Sequence, residues 1–486
     1  MSDPLAMLEP KELWQNFSAL NAVPRPSKKE ERVIEFMMQF GHSLGLPTIK
    51  DEVGNVIIKK PASAGLENRQ TIVMQSHLDM VHQKNADTQF DFNTQGIDMF
   101  VEGDWVKAKG TTLGADNGIG VASIMTLLAT KTILHPAIEA LFTIDEETGM
   151  TGALGLKGGL LEGKILLNLD TEDDHELTIG CAGGIDVTGT RHYIKKAVAE
   201  NSIGLEIAVK GLTGGHSGMD IHLGRGNANK LMNRLLIEIQ KDVHFEISSI
   251  DGGGLRNAIP RESHVKLAVP AAQKEQFIAR LKDIEAIFKA EYRITDPNLE
   301  LHIASIDCPA DVLEKLFQNH LLQVVHVLPN GIFRMTPGIE GLVQSSNNVA
   351  RILVQNGELS IQCLTRSSVD SEKMDLAAII ESAFHLLAAQ TEKKGSYPGW
   401  MPKPDAEIVK LMSDLYTEVF GSKPMVNACH AGLECGILGT NYPGMEMISF
   451  GPNIRGAHSP DERVQISSVQ KYWRFLLTTL ERIPLK

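Results

Sequence analysis

Two kinds of hydrophobic pattern alternate along the first third of the chain. In residues 28–44 apolar side chains recur three and four positions apart, which predicts an amphipathic helix, and residues 10–22 and 119–128 are also predicted to be helical. Short apolar runs that end in polar residues are typical of buried strands, and they lie at 55–59, 71–74, 140–144 and 164–170. Strands that alternate with helices predict an α/β fold, in which ligands bind at the carboxyl ends of the strands.

Polar side chains follow the strand predicted at 71–74. His77 and Asp79 are two positions apart, so they share one face of an extended backbone. A histidine can bind a metal through one ring nitrogen while a carboxylate holds its other N–H. A purely structural His–Asp pair is the alternative that this short motif leaves open.

The second polar motif is GTTLGADNGIG at residues 110–120, just before the helix predicted at 119–128. Glycines on both sides of Asp116 let the backbone come close to its carboxylate. Asp116 is therefore a candidate bridge between two cations. An ordinary N-cap of the following helix is the alternative.

Four further candidates lie later in the chain, three of them after predicted strands and one in a loop. Glu146 and Glu147 follow the strand predicted at 140–144, and because adjacent side chains diverge, one can bind a metal while the other handles protons. An acidic helix start favoured by the helix dipole is the alternative. Asp170 ends the run 164–170, and His458 lies in a loop rich in Gly and Pro. Four successive strand ends or turns with such residues together favour a metal site.

Residues 186–395 have a different hydrophobic pattern, which predicts hairpins and helices instead of buried strands. Strands are predicted at 203–210, 263–269 and 358–364, and helices at 274–291 and 376–389. A weak internal duplication relates 257–291 to 348–389. We therefore predict an inserted lobe built of two β/α halves.

The length, net charge and cysteine content of the chain limit the classes of protein to which it can belong. At 486 residues the chain is long enough for two or three domains, and its net charge of -13 argues against nucleic acid as the main partner. The five cysteines are scattered and never form a CxxC motif, which suits a reducing cytosol. No signal peptide and no membrane-spanning stretch is evident. We therefore expect a cytoplasmic protein without a membrane partner.

The motifs SHLDM, GADNGIG, TIDEETG, NLD and GAHSPDE resemble, in order and spacing, those of the M20 family of dinuclear zinc metallopeptidases. The resemblance covers essentially the whole chain, and YPGWMP, HAGLECG and GGHSG are most similar to the dipeptidases of that family. It implies an α/β, zinc-peptidase-like catalytic domain with a mixed sheet flanked by helices, formed by residues 1–185 and 396–486. An inserted α+β lid domain, residues 186–395, is implied to interrupt it.

The resemblance also implies two zinc ions per subunit. The ligands that it implies are His77 and Asp170 for one ion, Glu147 and His458 for the other, and Asp116 and a water between the two. Asp79 is implied to orient His77, and Glu146 to act as general base. Because imidazole and carboxylate ligands without thiolate also suit Mn²⁺ or Co²⁺, these ions are expected substitutes.

Residues that would contact the substrate are expected in the lid and in the last part of the chain. His216, within GGHSG, is the candidate donor to the tetrahedral oxyanion. Arg366 is the candidate fork for the free C-terminal carboxylate of a dipeptide, and Asn257 and the backbone at Gly432 are implied by the resemblance. A structural histidine and an ion-paired surface arginine are the alternatives for the first two.

The implied activity is hydrolysis of unblocked dipeptides, including Xaa-His and β-alanyl-histidine, so a small peptide is the expected partner. A tripeptidase or an N-acyl-amino-acid amidohydrolase of the same fold is an alternative, because these enzymes differ in the pocket for the substrate N-terminus. A non-catalytic metal-binding or peptide-binding relative is another, although it would be free to lose Glu146. A homodimer is suggested by the family alone.

Overall fold

The computed structural model describes residues 4–486 and divides the chain into two compact units. Unit 1 extends to Gly180 and includes Trp400–Ala428 and Leu433–Lys486, and unit 2 consists of Cys181–Gly399 and Cys429–Gly432. The predicted boundaries after residues 185 and 395 lie a few residues from these. The assignment of Cys429–Gly432 to unit 2 has no counterpart in the sequence prediction.

Helices and strands are interspersed along the described residues. The helices are α1 (Lys11–Asn21), α2 (Glu31–Ser43), α3 (Ala115–Ala129), α4 (Thr151–Gly155), α5 (Ala228–Ile239), α6 (Lys274–Glu291), α7 (Lys315–Val327), α8 (Asp370–Leu386), α9 (Glu407–Phe420), α10 (Glu434–Asn441) and α11 (Ile466–Arg482), with short 3-10 turns at Ile221–Leu223 and Ala271–Gln273. The strands are β1 (Thr48–Lys50), β2 (Val56–Lys60), β3 (Ile72–His77), β4 (Met99–Glu102), β5 (Trp105–Ala108), β6 (Ile138–Thr143), β7 (Ile165–Asn168), β8 (Glu176–Cys181), β9 (Gly183–His192), β10 (Lys195–Ala197), β11 (Ser202–Lys210), β12 (Glu246–Gly253), β13 (Ser263–Pro270), β14 (Glu300–Ile306), β15 (Asp311–Leu313), β16 (Gly331–Met335), β17 (Val343–Gln355), β18 (Glu358–Ser367), β19 (Gln390–Tyr397), β20 (Met425–Cys429), β21 (Glu446–Ser449), β22 (Ile454–Arg455) and β23 (Arg463–Gln465).

The central sheet of unit 1 is mixed and has the strand order β1-β2-β6-β3-β7-β21-β8-β20. Strand β3 runs parallel to both β6 and β7, and β21 runs parallel to β7. The carboxyl ends of β3, β6 and β7 therefore lie side by side at one edge of the sheet. This confirms the predicted α/β fold and brings the polar strand ends together.

The apolar runs of the sequence form the interior of this sheet. Ile72, Val73 and Met74 in β3 are fully buried, which explains their continuous rather than alternating hydrophobicity. Helix α3 packs against β3 and α1, and it is apolar on every side because it too is buried. The predicted helices at 10–22, 28–44 and 119–128 are confirmed within a few residues.

A smaller sheet in unit 1 has the order β22-β23-β5-β4. Within it, Met99–Glu102 forms β4 and pairs antiparallel with β5. Strand β5 buries the alternate side chains Val106 and Ala108, whereas β4 buries only Met99.

The large sheet of unit 2 has the order β14-β11-β13-β12-β17-β18-β9-β19, and β16 pairs with β17. Its core joins this sheet to α5, α6, α7 and α8. The hairpin β12–β13 leads into α6, and the hairpin β17–β18 leads into α8. Each half of unit 2 thus combines a hairpin with a helix. Across residues 4–486, every helix is too short or too polar to cross a membrane.

Candidate active site

The predicted ligands of unit 1 meet at the carboxyl edge of the central sheet. His77 is the last residue of β3, Glu146 and Glu147 follow β6, and Asp170 follows β7. His458 comes from the loop between β22 and β23. The ends of parallel strands and the loop between β22 and β23 therefore bring all of these side chains together.

Asp116 lies between two histidines. Its Oδ1 is 3.1 Å from Nε2 of His77, and its Oδ2 is 3.3 Å from Nε2 of His458. Burial alone would raise the pKa of the Asp116 carboxyl, but the hydrogen bonds to His458 and His77 outweigh it and lower that pKa. Hydrogen bonds to Asp116 and Glu147 raise the pKa of the His458 imidazole to about 11. The carboxylate thus faces two separate partners with its two oxygens.

The donor atoms form two groups that share Asp116. One group is His77, Asp116 and Asp170, the other is Asp116, Glu147 and His458, and within each group the ligand atoms lie within 4.8 Å of one another. Oε1 of Glu147 is buried and lacks a hydrogen-bond partner among the described residues. Nitrogen and carboxylate donors without thiolate fit Zn²⁺, Mn²⁺ or Co²⁺. The residues present therefore fit a pair of divalent cations.

Asp79 is completely buried behind His77. Its Oδ1 lies 3.3 Å from Nδ1 of His77 and accepts a hydrogen bond from the backbone N–H of Glu146 at 3.0 Å. Its Oδ2 accepts from the hydroxyl of Ser27 and from the backbone N–H of Glu147. A single carboxylate therefore fixes both the imidazole ring and the segment that carries the two glutamates.

Glu146 contributes a partly buried carboxylate to the same cluster, with a ligand atom close to those of His77 and Glu147. Burial raises its pKa well above the usual range, and the nearby carboxylates of Asp170 and Glu147 act in the same direction against the opposing charge of His77. A carboxylate with a raised pKa can accept a proton near neutral pH, as a general base must.

His216 lies in unit 2, on the loop between β11 and the 3-10 turn Ile221–Leu223. Its Nδ1 accepts hydrogen bonds from the backbone N–H groups of Gly218 at 3.1 Å and Met219 at 3.0 Å. Because Nδ1 is the acceptor, the neutral ring carries its proton on Nε2. Burial and the charge of Arg366 lower its pKa to about 4, so the ring is neutral at physiological pH. His216 is thus a neutral donor through Nε2.

Arg366 lies at the end of β18, where β9 and β19 pair beside it. Its Nη1 donates to the hydroxyl of Tyr397 at 2.9 Å, while its Nε is buried and lacks a partner among the described residues. The side chain is 5% exposed. A buried guanidinium with unused N–H groups and a neutral partner is suited to bind an anion.

The other predicted substrate residues also lie in unit 2. Asn257 is exposed, and its backbone carbonyl accepts a hydrogen bond from the amide of Ser217, next to His216. Gly432 ends the segment Cys429–Gly432. In the same segment, Nε2 of His430 lies 2.7 Å from the hydroxyl of Ser346.

Further hydrogen bonds in unit 1 involve polar residues near the predicted ligands, and of these residues Asn117 was not predicted. In unit 1, Asn117 donates to the carboxylate of Asp170, and Glu434 accepts hydrogen bonds from Gln75 and Thr143. Asn117 belongs to GADNGIG and Glu434 to HAGLECG, so both lie inside the motifs that carry the family resemblance. Their partners are distant in sequence, and only the fold reveals them.

Comparison with known proteins relates the chain to peptidases. Residues 207–296 match the family model M20_dimer, the peptidase dimerisation domain. The cytosol non-specific dipeptidase of Escherichia coli (strain K12) is 41% identical over 482 residues, which cover 99% of this chain and 99% of that protein. The similarity therefore extends through both units.

Solved structures give the same relationship. The aminoacylhistidine dipeptidase from Vibrio alginolyticus matches with a TM-score of 0.93 and 42% identity, covering 100% of this chain and 99% of that one. The aminopeptidase PepT from Bacillus cereus ATCC 10987 matches with a TM-score of 0.57 and 16% identity, covering 98% and 99%, and at that identity it shows a shared fold alone.

Proposed function

The chain belongs to the M20 family of metallopeptidases, and from this premise we propose that it is a metal-dependent dipeptidase that hydrolyses unblocked dipeptides, including Xaa-His. One observation carries the proposal: the two oxygens of Asp116 face two different histidines, His77 and His458. A carboxylate so placed is suited to bridge two cations. The names of the two similar dipeptidases support the substrate class.

We propose two zinc ions as the cofactor, with Mn²⁺ or Co²⁺ as substitutes. His77 and Asp170 would hold one ion, Glu147 and His458 the other, and Asp116 would contact both. The unpartnered Oε1 of Glu147 supports this assignment. When bound, such ions polarise the carbonyl of the scissile bond and lower the pKa of water.

Glu146 is the proposed general base. Its carboxylate would take a proton from the attacking water and deliver it to the amine that leaves when the peptide bond breaks. Asp79 would fix the direction of this carboxylate, because it binds the backbone amides of Glu146 and Glu147. Burial keeps the basicity of Glu146 high.

His216 is the proposed donor to the oxyanion that forms on the former carbonyl oxygen. Because Nδ1 accepts hydrogen bonds from two backbone amides, the proton of the neutral ring is on Nε2. The Nε2–H group can therefore donate to the oxyanion at neutral pH. Donors fixed in advance stabilise such an oxyanion more than mobile ones do. Unit 2 is the proposed lid domain.

Arg366 is the proposed binding group for the free C-terminal carboxylate of the substrate, and Asn257 and the backbone of Gly432 are proposed as further substrate contacts. A guanidinium can bind a carboxylate through two parallel N–H groups, and Arg366 has N–H groups unused within the described residues. A requirement for this carboxylate restricts hydrolysis to short peptides with a free C-terminus.

Two further properties are proposed from the relatives. The match of residues 207–296 to a peptidase dimerisation domain supports a homodimer, and the name of the Escherichia coli relative supports a cytosolic location. Light scattering during size-exclusion chromatography would distinguish a dimer from a monomer.

Hydrolysis of a peptide panel tests the proposed activity. The panel contains a Xaa-His dipeptide, β-alanyl-histidine, a tripeptide and an N-acetyl amino acid, each assayed after chelation and again with Zn²⁺, Mn²⁺ or Co²⁺ restored. We expect cleavage of free dipeptides that is lost with chelator and restored by metal. Activity confined to the tripeptide or to the acetylated compound would instead identify one of the two related activities.

A further inference from the structure

The carboxylate of Glu462 holds four consecutive backbone amides in the segment that carries Asp116. Its Oε2 accepts from the N–H groups of Leu113 at 2.7 Å and Gly114 at 2.9 Å, and its Oε1 accepts from those of Ala115 at 2.8 Å and Asp116 at 3.2 Å. The side chain of Glu462 is 3% exposed. Hydrogen bonds to a charged acceptor are stronger than neutral ones, so this segment is held firmly.

A second buried charge, Arg25, holds the same segment from another side. Its Nη1 donates to the carbonyl oxygens of Leu78 and Asp79, both at 3.0 Å, and its Nη2 donates to the carbonyl oxygen of Gly114 at 2.5 Å and to the side chain of Asn21. All four acceptors are neutral groups. Arg25 therefore connects the backbone that follows His77 to the backbone that precedes Asp116.

Gly114 shows that this contact depends on the local sequence. Its φ of 70° lies in the left-handed region, and a Cβ added there would be 2.5 Å from Nη2 of Arg25. Any side chain at this position would displace the guanidinium. The glycine at position 114 therefore leaves room for the guanidinium of Arg25 next to the Asp116 segment.

We propose that Glu462 and Arg25 are positioning residues that hold the Asp116 segment in the geometry that binds two cations. Glu462 joins that segment to the loop of His458, and Arg25 joins it to the segment of His77. Neither side chain is assigned as a ligand or as a catalytic group. The inference rests on the proposed function, since it assumes that Asp116 binds metal.

The physical basis is preorganisation. Asp116 must present its two oxygens to two cations at the same time, and a mobile backbone would make that arrangement less frequent. Partners of metal ligands typically contribute 10–100-fold to metal affinity or activity. We therefore expect Glu462→Gln, which removes the charge but keeps the size, to weaken binding of Co²⁺ by at least about tenfold.

The test uses the full chain. Co²⁺ binding to chelator-treated protein is followed by visible absorption, and hydrogen exchange of the amides at 113–116 is measured in the same protein without metal. Glu462→Gln should weaken Co²⁺ binding and accelerate exchange at these amides. Arg25→Lys, which keeps the charge but loses the fork of N–H groups, should act in the same direction and is an independent variant if the first does not fold.

Glu139 provides a matched control. It is also 3% exposed, and its Oε2 accepts from the backbone amides of Glu162 and Gly163, but it lies near the amino end of β6, away from the ligands at the carboxyl end. Glu139→Gln should lower the unfolding midpoint and leave Co²⁺ affinity unchanged.

The outcomes separate this inference from the proposed function. Wild-type Co²⁺ affinity in both Glu462→Gln and Arg25→Lys, or an equal loss of affinity in Glu139→Gln, would overturn the positioning role while the proposed function stands. Failure of the wild-type protein to bind Co²⁺ would overturn the proposed function, and this inference with it.

Discussion

Oδ1 of Asp79 accepts a hydrogen bond from the backbone N–H of Glu146, with the two atoms 3.0 Å apart. The same oxygen lies 3.3 Å from Nδ1 of His77. One buried carboxylate thus links a proposed metal ligand to the proposed general base. The arrangement predicts that Asp79 affects both metal binding and proton transfer.

Asp79→Asn tests this link. An asparagine amide would place N–H donors against the backbone N–H of Glu147 or the hydroxyl of Ser27, so part of the network would break. We expect metal affinity or kcat to fall by about 10–100-fold. Titration with Co²⁺ and steady-state kinetics measure the two effects. Ser27→Ala removes one of these bonds and should cause a much smaller loss, whereas equal losses would contradict the proposed role of Asp79.

Glu146→Gln should separate chemistry from metal binding. Glutamine keeps the size of the side chain but cannot accept and release a proton, so we expect kcat to fall by about 10²–10⁴-fold. The metal content, measured by atomic absorption, should stay at the wild-type value. Unchanged turnover in this variant would remove Glu146 as the base.

Much of the site could be predicted because its residues follow recognisable local patterns. His77, Glu147 and Asp170 each come after a short apolar run, and parallel strands that end at one edge bring such positions together. Asp116 and His458 lie in turns, where the hydrophobic pattern says little. The resemblance to a known family, rather than periodicity, implied their pairing with those strand ends.

The supporting contacts could not be predicted, because they join residues that are far apart in the chain. Glu462 binds amides about 350 positions earlier, at Leu113 and Asp116, and no local pattern encodes such a pair. Arg25 has no motif of its own and gains its role only where three segments converge. The hairpin β4–β5 was not predicted, because each of its strands has only four residues and so gives a very short pattern.

His216→Ala tests the oxyanion donor. If Nε2–H of His216 stabilises the oxyanion, kcat should fall by about 10²–10³-fold while the metal content is unchanged. Because the pKa of His216 is lowered to about 4, its protonation should not shape the rate profile between pH 6 and pH 8. His222, an exposed histidine of the neighbouring turn, is the matched control, and His222→Ala should retain wild-type kcat. An equal loss in both variants would contradict the assignment.

Arg366→Ala should reveal the group of the substrate that this side chain binds. We expect a large rise in KM for a free dipeptide and a much smaller rise for its C-terminally amidated analogue, since the amide lacks the carboxylate. Arg191, which contacts the carbonyl of Leu387 and the ring of Phe317 in the same unit, is the control. Equal losses on both substrates would remove Arg366 from carboxylate recognition.

The pH dependence of stability provides the last test, at His430. Burial and the charge of Arg366 lower the pKa of His430 to about 3, below the value of about 6.5 expected in the unfolded chain. A histidine whose pKa is lower in the folded state contributes stability that is present above pH 6.5 and is lost as the pH falls. At pH 5 the expected loss from this group is about 2 kcal/mol.

His430→Gln cannot be protonated, so its free energy of unfolding should fall less than that of the wild type between pH 7 and pH 5. Urea unfolding of both proteins at the two pH values measures the difference. His192, whose side chain is 88% exposed in the same unit, supplies the control, and His192→Gln should behave as the wild type does. The same pH dependence in His430→Gln and the wild type would mean that this histidine is not held neutral in the folded protein.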